Sequence, residues 1–224
     1  MLKQFESILK LKIDVQTVNF ATSMTDVQSG RIDITGPAGD FVERQSIVDF
    51  ADMAKDNVIV LVKKTDDFTP STNAALCGTT LGLQTGAGTT QVMAAVNAQC
   101  TAKGKSPASV SDYADLSQAT LALTSGRIQG VVAPVASNSL AARSSNGTMR
   151  VITIAQMQTL PAATATYGIQ TKKGNKLAPA FVAALQEMAA KGTYKALFVK
   201  WGIPLSALTP SKIRFDGSTQ NKNS

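Results

Sequence analysis

The tetrapeptide Ser-Gly-Arg-Ile stands twice in this chain, at Ser29-Gly30-Arg31-Ile32 and at Ser125-Gly126-Arg127-Ile128. Each copy follows a short run that reads as helix and precedes an apolar run that reads as strand. A glycine just past a helix takes the left-handed conformation that ends it, because it has no Cβ to clash there. The next residues can then turn into a strand, so each copy is a helix-to-strand junction. Two such junctions, separated by roughly a hundred residues, predict two similar α/β lobes, and small ligands favour the cleft between domains. A tetrapeptide can recur by chance, so the reading depends on the rest of the chain.

Along the chain, strands and helices alternate. Leu2, Phe5, Ile8 and Leu9 share one face of an opening helix, and Ile13 to Val18 alternates as a strand. A short helix around Thr22 to Gln28 leads to the strand Ile32-Asp33-Ile34, and Glu43 to Ser46 reads as a helical turn. Val58 to Val62 is continuously apolar, as a strand buried on both faces would be. The polar stretch Lys63 to Ala74 is the expected crossing between lobes. Beyond it the strands Leu81 to Gln84, Ser109-Val110, Gln129 to Val132 and Val151 to Ile154 are interleaved with helices Thr90 to Ala98, Leu116 to Thr124 and Ser137 to Arg143. That alternation predicts parallel βαβ sheets. Ala165 to Gln170 can cross back. Two apolar stripes follow, Leu177, Phe181, Leu185 and Met188, then Tyr194, Leu197, Phe198 and Trp201; both read as core packing. The tail from Ser211 is polar and is expected to fray.

Composition removes several classes of chemistry. The chain has no histidine, so Ser-His-Asp and Cys-His catalysis and His-ligated metals are excluded. Two cysteines cannot make a four-cysteine zinc site, and no metal or cofactor is expected. The net charge is +7, but the basic residues are scattered and aromatics are only 5%, so no nucleic-acid partner is expected. No apolar run is long enough to span a bilayer. No signal peptide opens the chain, which leaves a cytosolic protein or a trimmed one.

The cysteines favour the second. Cys77 precedes a strand and Cys100 follows the helix that comes after it, an arrangement that can bring the two together. A bond would close a loop of about 23 residues and stabilise by roughly 3 kcal/mol, and would persist only in an oxidising compartment. The alternative is two buried thiols.

Several phrases together resemble the solute-binding proteins of polar amino-acid ABC transporters, nearly end to end. Gln28-Ser29-Gly30-Arg31-Ile32-Asp33-Ile34 is similar to that family's helix-to-strand junction. Glu43-Arg44-Gln45 followed by Val48-Asp49-Phe50 and Asp52 is similar to its ER…VDFxD block. Leu81-Gly82-Leu83-Gln84 with Gly88-Thr89-Thr90-Gln91 is similar to its strand and Gly-Thr-Thr loop, and Tyr194 through Trp201-Gly202 to its C-terminal helix.

The resemblance implies an α/β, two-lobed, type II periplasmic-binding-protein-like fold. Each lobe is a mostly parallel sheet flanked by helices, with two hinge crossings. Lobe one would comprise residues 1–64 plus 167–224 and lobe two residues 65–166. It also implies an extracytoplasmic or periplasmic location, a small carboxylate-bearing ligand trapped by lobe closure, and a membrane permease as partner. Family members carry a strand and a helix before the equivalent of Leu2, so lobe one is expected to lack its N-terminal strand and to leave backbone groups unpaired.

The resemblance assigns Arg44 to the ligand's α-carboxylate, a role suited to a rigid guanidinium fork. An exposed Arg44 paired with Asp40 is the alternative. Thr89 and Thr90 would supply the second lobe's grip, where helix-start N–H groups favour an anion; otherwise Thr89 simply caps the helix. Two departures stand out. The loop Gly36-Pro37-Ala38-Gly39-Asp40-Phe41 lacks the hydroxyls usual in the family, leaving backbone groups of Pro37 and Gly39 or the Asp40 carboxylate. Pro134 falls where an aspartate usually meets the α-ammonium. Together they predict a ligand other than a standard α-amino acid, with Asp40 as a replacement charge and Asp49 and Asp52 structural. Two rivals remain: a cyclohexadienyl-dehydratase-like enzyme on the same scaffold, with Asp40 or Glu43 as general acid or base, and a ligand-sensing domain of a receptor.

Overall fold

Both junction glycines adopt the left-handed conformation, with φ 79° at Gly30 and 75° at Gly126. In the computed structural model, which describes residues 1–219, the two copies close their helices in the same way. The N–H of Gly30 reaches Val27 O and that of Arg31 reaches Asp26 O; the N–H of Gly126 reaches Leu123 O and that of Arg127 reaches Ala122 O. This paired closure satisfies carbonyls that a helix end otherwise leaves open.

In chain order the elements are α1 (Leu2–Leu9), α2 (Ser23–Ser29), β1 (Ile34–Gly39), α3 (Val42–Gln45), β2 (Val48–Lys55), β3 (Val58–Lys63), β4 (Thr80–Gln84), α4 (Thr89–Ala102), β5 (Ser109–Tyr113), α5 (Leu116–Thr124), β6 (Gly130–Pro134), α6 (Val135–Ser144), β7 (Met149–Ile152), β8 (Thr166–Lys172), α7 (Leu177–Ala190) and α8 (Thr193–Lys200). The chain divides into two units, one built from Met1–Lys55 and the described chain from Ala165 onward, the other from Asp56–Thr164. The first change of unit therefore falls between β2 and β3, ahead of the polar stretch expected to carry it. β3, expected in lobe one, pairs in the second unit's sheet.

In the first unit β8 lies between β1 and β2, and both pair with it antiparallel, from Ile34↔Thr171 to Gly39↔Tyr167 and from Val48↔Lys172 to Lys55↔Thr166. This departs from the mostly parallel sheet expected, because the middle strand is the returning chain and runs against its neighbours. Gly168 allows the approach: a Cβ there would sit 2.9 Å from Ala51 O. One face of the sheet carries Phe5, Phe181, Leu185, Met188, Tyr194 and Ile213. Phe5 meets Phe181 edge-on at 4.9 Å between centroids. The other face carries Val27, Val48 and Phe50. The expected strand over Ile13 to Val18 does not form; Val15 is 71% exposed. Alternation alone fixes no strand without a ladder partner, and among the described residues β1 is paired on one side only.

The second unit is a five-stranded sheet in the order β5-β4-β6-β3-β7. β4 runs parallel to β5 and β6, while β3 runs antiparallel to β6 and β7. The run Val58 to Val62 is buried on both faces as expected: Val58, Val60 and Val62 pack with Val92, Met93 and Val96 of α4, and Leu61 with Ala119, Ala122 and Leu123 of α5. Cys77 and Cys100 form a disulfide across 23 residues, with Cα atoms 5.7 Å apart.

Two expectations about the C-terminal region change. Trp201 is half-exposed, although Tyr194 and Phe198 of the same stripe are buried. The polar tail does not fray over 211–219: Ile213 is fully buried and Phe215 bridges to Ala51. Residues 220–224 of that tail lie outside the described residues. No helix among the described residues is long and apolar enough to cross a membrane.

Two measurements check this packing. Reducing the disulfide, or replacing both cysteines by serine, should lower unfolding free energy by about 3 kcal/mol; denaturant melts with and without reductant read this, and overlapping curves would refute it. Tyr194 donates its hydroxyl to Met53 O at 2.8 Å and accepts from the Leu208 N–H at 2.9 Å, and burial pushes its pKa up to about 12. Tyr194→Phe leaves both backbone groups without that partner and should cost about 1–3 kcal/mol in the same melts.

Candidate functional site

In the first unit the residues expected at the ligand gather where β1 runs into α3. Phe41 is extended, with φ −118° and ψ 146°, and α3 then makes a single turn whose Arg44 N–H returns to Phe41 O at 2.9 Å. The turn stops at Ile47-Val48, where β-branched residues favour the strand β2. It puts Phe41 and Arg44 one turn apart, on the same side. The guanidinium sits 5.2 Å from the Phe41 ring centroid, and Nη1 donates to Gly39 O at 2.9 Å. Arg44 is half-buried rather than aimed into bulk water. Burial draws its pKa downward, while Tyr167, Asp40 and Glu43 counter that pull; a guanidinium stays charged at neutral pH regardless.

Gly39 thus serves Arg44 through its carbonyl, and Pro37, after a cis Gly36-Pro37 bond, is exposed. Asp40 corrects the expectation. It is fully buried, its Oδ1 accepts from Gln45 Nε2 at 2.8 Å, and its Oδ2 accepts from the Ser218 N–H at 3.0 Å. A carboxylate turned inward with both oxygens occupied supplies no replacement charge for a ligand and no exposed acid or base. Asp49 is structural as expected, holding Lys173 at 2.7 Å and the Gly174 N–H at 2.8 Å. Asp52 is structural too, and buried beside Asp40.

In the second unit the loop after β4 is Thr85-Gly86-Ala87-Gly88, and Gly86 takes φ 79° to turn it. The helix α4 starts behind Gly88 without a side-chain cap, so Thr89 does not cap it. The N–H groups of Thr90 and Gln91 bond Ala87 O and Gly88 O. Thr89 is 2% exposed and its Oγ1 has no hydrogen-bond partner among the described residues, whereas Thr90 is exposed. Of the two threonines, Thr89 is turned into the interior and Thr90 is open to solvent. Pro134 ends β6, opposite Val58, and begins α6 with no charge to offer.

Two neighbours were missed in the sequence. Phe41, under the guanidinium, was signalled by its spacing of three from Arg44. Tyr167 reaches the site only because β8 pairs it with Gly39, which no local pattern discloses. No group of three or more His, Cys, Asp or Glu able to hold a metal occurs among the described residues.

The family model for bacterial extracellular solute-binding proteins, family 3, matches residues 1–204. The arginine-binding protein ArgT of Corynebacterium glutamicum is 29% identical over 206 residues, which cover 91% of this chain and 65% of that relative's length. An ancestral arginine-binding protein bound to glutamine is 26% identical with a TM-score of 0.74, covering 90% of this chain and 84% of that one. The ancestral amino acid-binding protein AncCDT-1, a precursor of cyclohexadienyl dehydratase, is 20% identical with a TM-score of 0.68, covering 89% and 81%; that likeness speaks to the fold.

The unbonded hydroxyl yields a prediction. Thr89→Val removes a buried oxygen that gains nothing while keeping the side chain's shape, so thermal stability should hold or rise, by up to about 1 kcal/mol. A fall in melting temperature would show that the hydroxyl is bonded in solution.

Proposed function

The chain belongs to the bacterial extracellular solute-binding proteins, family 3, and from that membership we propose that it is the extracytoplasmic substrate-binding component of an ABC importer. Its solute is an amino acid or amino-acid-like compound carrying a carboxylate, and its partner is the importer's membrane permease. The Cys77–Cys100 bond supports an oxidising compartment.

Arg44 carries the reading. Its guanidinium is pre-positioned by the Gly39 carbonyl and the Phe41 ring, so little side-chain freedom is lost when a carboxylate docks. Partial burial strengthens the ion pair by keeping water from competing. In the second unit, Thr90 presents an exposed hydroxyl at the start of α4, a helix end that favours anions. Asp40 is sealed, which weighs against a dehydratase-like activity centred on it; Glu43, the other carboxylate named for that role, is exposed on α3. Relatives named for arginine or bound to glutamine put standard amino acids among the candidates, alongside acids lacking the α-ammonium that Pro134 cannot meet.

Titration calorimetry tests both parts. A panel of L-amino acids, their carboxamides and their deaminated acids should show binding only where the carboxylate is present. Arg44→Ala should weaken the best ligand about 100-fold, and Arg44→Lys should recover only part of that, because an ammonium has no planar fork. Wild-type affinity in Arg44→Ala would refute the assignment. Carboxamides that bind as tightly as their parent acids would refute the ligand class.

A further inference from the structure

Residues 213–218 lie along β2 although their sequence is polar. Ile213 is buried, the Asp52 N–H reaches Arg214 O at 2.9 Å, and Phe215 bridges Ala51. The Phe50 N–H donates to Asp216 Oδ1 at 2.7 Å and the Asp216 N–H to Phe50 O at 3.1 Å. Gln45 Nε2 donates to both Asp40 Oδ1 and Ser218 O, at 2.8 Å each. Two carboxyl groups, Asp40 and Asp52, are buried at 0% and 1% exposure and reach adjoining residues of this strap: the Ser218 N–H meets Asp40 Oδ2, and Gly217 packs against Asp52 Oδ2.

Their surroundings show which one is charged. Asp40 receives two donors, the Gln45 amide and the Ser218 N–H, as an anion requires. Asp52 accepts from the Gly217 N–H, but among the described residues its Oδ1 receives no donor and no cation pairs with it, so Asp52 is the one of the two that is better suited to hold a proton. We propose that residues 213–218 form a strap fastened to β2 by one proton held between Asp40 and Asp52, and that fastening it also holds the turn that seats Arg44. Asp40 lies between Gly39, whose carbonyl takes the guanidinium, and Phe41, whose ring underlies it. When the proton leaves, two like charges face each other out of water, and the strap is the element that can move.

The charged groups around the pair are Asp216 and Arg214 on the strap, Glu43 and Arg44 on α3, Asp49 on β2, Lys173 after β8, and Tyr167 on β8. Lys173 sits between Asp49 and Asp216, at 2.7 and 3.2 Å, so one cation is shared by two carboxylates and Asp216 still adds to the negative charge felt by Asp40. Arg214 pulls the Asp52 pKa down, but burial first and the Asp40 charge second push it up to about 9. Burial also raises Asp40. An aspartate exposed by release of the strap titrates near 4. The fastened form therefore holds one more proton between those limits. Its advantage is complete below about pH 4, falls as pH rises, and is gone above about pH 9.

Amide hydrogen exchange on the ligand-free protein tests this and needs no solute, so a failure here is distinct from a failure of the transport reading. After correction for intrinsic rates, the opening constant for the amides of Asp216 and Ser218 should rise by up to about tenfold per pH unit between roughly pH 6 and pH 9. The amides of Asp40 and Arg44 should follow. Asp52→Asn, which keeps a donor toward Asp40 and cannot ionise, should flatten that dependence. Gly217→Ala should lower strap protection at every pH, because its Cβ would press into Asp52 Oδ2 and Arg214 Cβ. Protected β4 and β6 amides in each variant verify that the chain is folded. Equal pH slopes in wild type and Asp52→Asn, or full strap protection in Gly217→Ala, would overturn the proposal.

Discussion

β8 is the strand on which the first unit depends. β1 and β2 are near neighbours in sequence, yet each is hydrogen-bonded in this sheet only through a strand that returns more than a hundred residues later. The turn containing Arg44 is the link between β1 and β2. Its position is therefore set by the spacing that β8 imposes, and not by the four residues of α3, too short a helix to stand alone. Pairing Gly39 with Tyr167 brings the tyrosine to the same place.

Around that turn, polar groups are satisfied from remote parts of the chain. Asp40 and Gln45 take their partners from Ser218, Phe50 from Asp216, and Asp49 from Lys173 and Gly174. A buried carboxylate is tolerable only when bonded or neutralised, and both solutions occur here within a few residues: an ion pair at Asp49 and a protonated acid at Asp52. The segment 213–218 is thus part of the first unit's interior rather than an appendage, and the inward turn of Asp40 leaves Glu43 and Arg44 as the charged groups of this turn that reach the surface.

The fold is shared with an ancestral amino acid-binding protein that is a precursor of cyclohexadienyl dehydratase. Catalysis needs a titratable group that meets the substrate. Here two carboxyl groups with raised pKa values, Asp40 and Asp52, are buried and serve the fold, while Arg44 stays cationic.

The sequence by itself determined what neighbouring residues decide among themselves. The glycines of the two Ser-Gly-Arg-Ile junctions end their helices because left-handed φ is a local property of glycine. The run Val58 to Val62 is buried on both faces because it has no polar side to expose. The stripes of α7, the turn at Arg44 and the pairing of Cys77 with Cys100 followed from spacing. Tertiary structure decided everything that needed a partner from far away. Ile13 to Val18 alternates and still makes no strand, since a ladder requires a second chain segment. β3 joined the second unit, and the polar tail was drawn onto β2 by hydrogen bonds to Phe50, Asp40 and Gln45. Asp40 and Thr89 faced inward because burial is set by what packs against a residue, and no periodicity in one stretch of chain encodes the neighbours that the fold brings to it.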